Sequence, residues 1–123
     1  KDVPLKLKQY DSGLVFNSTG TWRKMSCPTK LGEYLASGLH VIGLEGIAVL
    51  DRLQQENHRF INNLSEEDIK KGLSPELIRA ICQNIKNPTR IKSCISIAKN
   101  NFSLSKAQKE YEKSYNMIIK KIN

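Results

Sequence analysis

The chain has 123 residues, a formal net charge of +8 and 39% hydrophobic residues, a size suited to one domain around one modest core. It contains no charged-then-apolar leader and no uninterrupted apolar run of about 18 residues, so neither a signal peptide nor a membrane span is expected. Cys27, Cys82 and Cys94 are odd in number and far apart, and His40 and His58 are not placed with them as zinc ligands would be. Reduced thiols in a cytoplasmic protein, with no bound metal, are the expectation. The opening Lys1-Asp2-Val3-Pro4 lacks Met and is what a segment of a longer protein would show. Residues 86–123 hold nine Lys/Arg against Glu110 and Glu112. Such a field attracts nucleic acid, anionic lipid or a phosphorylated ligand without choosing among them.

Val3–Tyr10, with Pro4 near its start, reads as a short helix. Gly13-Leu14-Val15-Phe16 is a compact apolar run bounded by polar pairs, the pattern of a buried strand. A polar loop over residues 17–27 follows, long for a link between neighbouring elements. Pro28 suits a first helical turn with Ser26 or Cys27 as its cap; Leu31, Tyr34 and Leu35 then recur at helical spacing, and Gly38 ends the helix. His40–Leu44 reads as a second buried strand, Ile47–Asn57 as a helix with Val49, Leu50 and Leu53 on one face, and Arg59–Ile61 as a weaker third strand. Beyond residue 65 the pattern is helical: an acidic start at Ser65–Asp68, a helix opened by Ser74-Pro75 and stopped by Asn87-Pro88, another carrying Ile91, Ile95 and Ala98, and a long one over residues 103–122. The alternation up to residue 61 predicts an α/β fold, a partial doubly wound parallel sheet with a helical C-terminal block. Three strands are too few for the usual doubly wound domain, so the remaining strands are expected upstream of Lys1.

Residues 26–42, SCPTKLGEYLASGLHVI, carry the densest chemistry. Lys30, Glu33 and Ser37 stand at i, i+3 and i+7 and so share a helix face, with Leu31, Tyr34 and Leu35 on another. The helix starts at the carboxyl end of a strand, where open α/β sheets take ligands. Its first turn offers unpaired N–H groups and partial positive charge, which favour phosphate, and a lysine there adds a mobile cation. A carboxylate one turn later can accept from ribose hydroxyls. This is the pattern of a nucleotide-diphosphate site, although an exposed Lys30–Glu33 pair and glycines serving only packing and capping would account for the same spacing.

The same stretch resembles the signature of retaining GT-B glycosyltransferases of family four (group one): a Pro-containing loop, a helix reading Glu-x-x-Ala-x-Gly, and a strand near Pro-Val-Ile. The form Ser-x-Pro-Thr-Lys-Leu-Gly-Glu-Tyr-Leu-Ala-x-Gly is similar to a subset that includes surface-polysaccharide enzymes. Tyr10–Phe16 resembles the strand before the loop, and Phe102-Ser103-Leu104 the start of a C-terminal helix that in the family crosses toward the other domain. The close match spans residues 10–44. The resemblance implies that residues 1–123 belong to the C-terminal, donor-binding domain, with the acceptor domain absent. Glu33 would bind the donor ribose, Lys30 and the amides around Thr29 the diphosphate, and Met25 and Ser26 would lie near the transferred sugar. Met25 stands where the family has a first glutamate, eight residues before Glu33, and His40 replaces the usual proline; His40 is read as a half-buried packing residue. The implied chemistry is transfer of a sugar from a nucleotide-sugar, with retention and without a metal, to an acceptor in polysaccharide or glycolipid synthesis. No catalytic residue is identified, and the isolated chain is expected to be inert or to bind nucleotide weakly.

Other features leave alternatives open. Trp22 in the long loop either stacks on a base or sugar or anchors the loop. Glu45 and Gly46 either line the donor pocket or form a simple turn, Asp51 reads as solvated, and Tyr111 and Tyr115 read as core or as an interdomain seam. Two other functions compete: a stand-alone donor-binding subunit of a split glycosyltransferase, and a basic nucleic-acid module built on residues 86–123. The second lacks a helix-turn-helix or an aromatic stacking signature, so no nucleic-acid partner is expected. Peripheral contact of the basic helices with anionic membrane, where a lipid-linked acceptor would reside, fits the same charge.

Overall fold

The computed structural model describes residues 3–16, 25–26, 28–56 and 59–122. Helix α1 (Val3–Leu7) leads to strand β1 (Ser12–Val15), then α2 (Thr29–Ala36), β2 (His40–Leu44), α3 (Ala48–Gln55) and β3 (Ile61–Leu64). Four helices follow: α4 (Glu66–Lys71), α5 (Pro75–Lys86), α6 (Arg90–Phe102) and α7 (Leu104–Ile122). The strands form one parallel sheet in the order β1-β2-β3. The fold is therefore α/β, a small open parallel sheet in a largely helical chain. The expected loop over residues 17–27 falls almost wholly outside the described residues.

Register explains how the helices seat. Gly13 pairs with Val41 and Val15 with Gly43, and Val41 and Gly43 pair with Ile61 and Asn63, so these six residues share one sheet face. On that face a Cβ at Gly13 would collide with the Tyr34 ring of α2, and one at Gly43 would come within 2.5 Å of Leu50 of α3. Two notches in the sheet thus admit one side chain from each helix. Leu31 and Leu35 of α2, Leu50 and Leu53 of α3, and Val41 of β2 are fully buried around them.

Strand β3 starts at Ile61 and runs to Leu64, later than the expected 59–61. Asn62 and Asn63 are poor strand formers, which hid the continuation in the sequence. Hydrogen bonds from outside the strand support both: His40 Nε2 lies 2.7 Å from Asn62 Oδ1, and the Asn63 amide N–H donates to Gln54 Oε1 at 3.0 Å. The second of these closes an outward-facing amide of an edge strand.

After β3 the chain forms a capping box: the Asp68 amide donates to Ser65 Oγ at 3.1 Å, and the Ser65 amide to Asp68 Oδ2 at 2.8 Å. The Ser65 hydroxyl, 2.6 Å from Asp68 Oδ2, and then the Ser65 amide hold the Asp68 pKa below its usual value. Helix α6 then runs along α2. At its start, Arg90 donates to the Asp11 carbonyl at 3.0 Å and to Asp11 Oδ1 at 2.9 Å. At its end, Phe102 rests where a Gly32 side chain would begin. Between these points Cys94, Ile97 and Ala98 enter the core, and burial pushes the Cys94 thiol up to about 11. Helix α7 contacts α6, but its apolar stripe is open, with Leu104 85%, Tyr111 78% and Tyr115 67% exposed. A place in this chain's own core for Tyr111 and Tyr115 is thus overturned.

His40 also differs from expectation. It is fully buried rather than half-buried, with a polar neighbour at each ring nitrogen. Nε2–H donates to Asn62 Oδ1 at 2.7 Å, and Nδ1 lies 3.2 Å from the Ser12 hydroxyl, which donates to the His40 carbonyl at 3.0 Å. Burial, with Arg90 adding to it, holds its pKa below 6.5, against the opposing bond to Asn62. A depressed histidine pKa means that below 6.5 the unfolded chain binds more protons than the folded one. The stability linked to His40 is therefore complete above that pH and is lost as pH falls toward the folded pKa. Urea denaturation at pH 7.5 and pH 5.5 should show a drop in unfolding free energy that His40→Gln largely removes; an equal drop in the variant would refute this account.

Candidate functional site

Helix α2 begins one residue later than expected. Pro28 itself is the N-cap, extended at φ −63° and ψ 117° and making no side-chain cap bond, while Cys27, one of the two expected caps, lies outside the described residues. The Leu31 amide is satisfied by the Pro28 carbonyl at 3.0 Å. No acidic residue lies in the first turn, so nothing on the helix itself offsets its positive end. Thr29, Lys30 and Glu33 are exposed, and among the described residues no ion pair joins Lys30 to Glu33. Ser37 is taken up in the C-cap, where its amide donates to the Glu33 carbonyl at 3.0 Å. Of the polar stripe expected at positions 30, 33 and 37, Lys30 and Glu33 are exposed and Ser37 is half-buried. Met25 is 81% exposed, Ser26 is half-buried, and Trp22 lies outside the described residues.

The tip of β2 is built differently. Gly46 has a positive φ of 86°, and its amide donates to Asp51 Oδ2 at 2.9 Å. The other Asp51 oxygen accepts from Asn63 Nδ2, also at 2.9 Å. Asp51 is therefore not simply solvated: it ties the turn after β2 to the end of β3 across the first turns of α3. The geometry leaves Asn63 Oδ1 buried without a hydrogen-bond partner. Glu45, Gly46, Asp51, Gln54 and Gln55 line an open cavity of about 540 Å³ at this corner.

A second cavity, of about 480 Å³, lies between α2 and α6, lined by Gly32, Glu33, Ala36, Ile95, Ala98, Lys99, Phe102 and Ser103. Sequence-predicted residues are thereby divided. Glu33 belongs to the α2–α6 groove, Glu45 and Gly46 belong to the β2 corner, and Met25, Ser26, Thr29 and Lys30 line neither. Glu45 and Gly46 follow β2 directly at its carboxyl end, and α2 leads from its own C-terminus into the start of β2. Sequence reasoning missed Asp51 and the α6 residues Lys99 and Phe102. An aspartate in the first turn of a helix just after a strand–glycine turn is a usable signal for the first. Nothing local marks the others, since only tertiary packing brings α6 to α2.

Among the described residues no group of three or more His, Cys, Asp or Glu is placed to hold a metal ion, and no helix is long and apolar enough to cross a membrane. What fold and rim define is an α/β chain with a helix whose first turn carries Lys30 and no acidic residue, and a separate acidic turn after β2. No family model matches the chain, and neither a curated protein nor a solved structure does.

Because Asp51 satisfies two separate donors, Asp51→Ala should lower the unfolding free energy by about 2 kcal/mol. In amide exchange it should also release protection at Gly46. Unchanged exchange at Gly46 would show that the bond is dispensable.

Proposed function

We propose that this chain is the donor-binding part of a retaining GT-B glycosyltransferase of family four, acting on a nucleotide-sugar in polysaccharide or glycolipid synthesis. The observation that carries the reading is the start of α2: no acidic residue in the first turn, an exposed Lys30, and an exposed Glu33 one turn on. A helix N-terminus of this kind stabilises a phosphate through fixed amides and aligned peptide dipoles. Lys30 adds a point charge that can follow the anion, and Glu33 offers two acceptor oxygens to a ribose diol. The resemblance of residues 26–42 assigns these groups the same roles.

In the transfer itself, negative charge grows on the departing diphosphate. Donors already oriented toward it lower the barrier without rearranging as the reaction proceeds. Lys30 and the α2 amides supply that part; the acceptor and the remaining cations belong to the domain expected upstream. The open stripe of α7, Leu104, Tyr111 and Tyr115, supports the same reading as a surface on which such a domain would rest. A cytoplasmic location, with the acceptor held at the inner face of a membrane, fits the basic balance of residues 86–123.

Isothermal titration with UDP, GDP and ADP tests the proposal. One of them should bind, Glu33→Ala should abolish the binding, and Lys30→Ala should weaken it by about tenfold. Absence of binding by all three would refute the reading, as would binding indifferent to both substitutions.

A further inference from the structure

We propose that the outer face of α6 is a docking surface for an anionic lipid membrane. Lys92 and Lys99 meet headgroup phosphates there, Ser96 and Asn100 donate to the same layer, and Ile91 and Ile95 face the apolar region beneath it. The face contains none of Thr29, Lys30 and Glu33, so its occupancy is independent of nucleotide binding at α2.

Positive charge on this face is local and not neutralised. Elsewhere on the chain, exposed cations pair with a glutamate one turn away: Arg52 with Glu56, Lys70 with Glu66 and Lys71 with Glu67. Helix α6 contains no Asp or Glu, so its lysines have no such neighbour. Its remaining cation, Arg90, is held by Asp11. Lys92 and Lys99 are exposed, and among the described residues neither forms an ion pair. Together with Ile91, Ile95, Ser96 and Asn100 they line an open trough of about 580 Å³ that contains no carboxylate. Such a surface complements a layer of phosphates.

Helix geometry then favours a surface over a small anion. Ile91, Ile95, Ala98 and Phe102 recur at i, i+4, i+7 and i+11, and Lys92, Ser96 and Lys99 each follow one residue behind. An apolar row and a cationic row therefore run side by side along α6. Lys92 and Lys99 stand at i and i+7, roughly 10 Å apart along the axis. Two ammonium groups so spaced suit neighbouring phosphates of an extended layer better than one free phosphate. Ile91 is 54% exposed beside Lys92, and Ile95 and Lys99 also line the α2–α6 groove, so apolar surface continues from the trough toward Ala98 and Phe102. A nucleic acid repeats its phosphates too, but its backbone gains nothing from exposed isoleucines. Lipid does: lysine stems lie over apolar surface while their charges stay at the headgroups, and buried apolar area adds to the electrostatic attraction.

Vesicle flotation tests this on the native chain and on two double variants. One is Lys92→Gln with Lys99→Gln; the other, Lys106→Gln with Lys109→Gln, removes the same charge from α7. All four lysines are exposed, so thermal melting should show both variants folded. The native chain should bind vesicles of phosphatidylglycerol and not those of phosphatidylcholine. The α6 variant should bind phosphatidylglycerol about thirtyfold more weakly, the combined effect of two lysines at an anionic surface, and the α7 variant should lose far less. An equal loss in both variants would mean bulk attraction by net charge and would overturn the α6 assignment, as would no binding to phosphatidylglycerol or equal binding to phosphatidylcholine. Release of the chain from vesicles by glycerol phosphate at the headgroup concentration would make the trough a site for a free phosphate instead. Binding of duplex DNA that the α6 variant loses, without binding of vesicles, would make the partner a nucleic acid, and the membrane inference would fall.

Discussion

The architecture depends on two missing side chains in the sheet. Gly13 of β1 leaves the space that the Tyr34 ring fills, and Gly43 of β2 leaves the space that Leu50 fills. Both are on the same face, so α2 and α3 descend onto the strands at matching depth. A methyl group at either place would lift a helix by more than close-packed interiors allow without rearrangement. Seating each helix this way fixes where its first turn emerges. The α2 amides and the Gly46 turn are thus placed at the strand ends by contacts made deep in the core.

A sheet of three strands does not by itself offer enough surface to hold two helices firmly, and α6 supplies the rest. It braces α2 along its length, from Ile91 over Gly38 at one end to Phe102 beside Gly32 at the other. Arg90 anchors the first of these ends to Asp11, at the start of β1. Only 10% of the Arg90 side chain is exposed, while Asp11 remains 72% exposed. The stabilisation therefore rests more on the guanidinium being bonded twice than on charge attraction, which water screens on the Asp11 side. The Asn101 side chain extends the brace to α3, accepting from Arg52 at 3.1 Å. The same packing that stabilises the sheet makes the groove beside Glu33.

How much of this was legible follows from the range of each interaction. Strand β2 was readable because five residues in a row are suited to a two-sided burial. Helix α2 was readable because Leu31, Tyr34 and Leu35 recur on one face, and Gly38, at φ 80°, ends it as spacing suggested. Strand β3 was misplaced because Asn62 and Asn63 depend on partners from β2 and α3 rather than on their own propensity. Asp51 looked like an ordinary solvated side chain since both its donors come from turns and strands elsewhere. The burial of His40 hid for the same reason, its two partners lying 28 and 22 residues away. At the candidate site, Lys30, Glu33, Glu45 and Gly46 could be singled out by position, but their division between two separate corners could not. That division is set by α6, joined to the start of β1 across 79 residues of sequence.

Net charge is a poor guide to where an anion would settle on this molecule. Lys106, Lys109 and Lys113 of α7 fall together on one side of that helix, opposite the Tyr111 and Tyr115 stripe. They raise the potential broadly, but beyond the Debye length of about 8 Å at physiological salt their pull on a particular corner is largely screened. Selection between neighbouring corners therefore falls to the groups within that distance. At the β2 corner, the Glu45 and Asp51 carboxylates repel a phosphate. At the α2 start, Lys30 carries a positive charge and the helix dipole has the same sign. Two helices on a common sheet typically stand about 8–10 Å apart, so this contrast is steep on the scale of one sugar diphosphate. A ligand carrying a phosphate is thus oriented by the rim before any specific contact forms, its anionic part toward the start of α2 rather than the β2 corner.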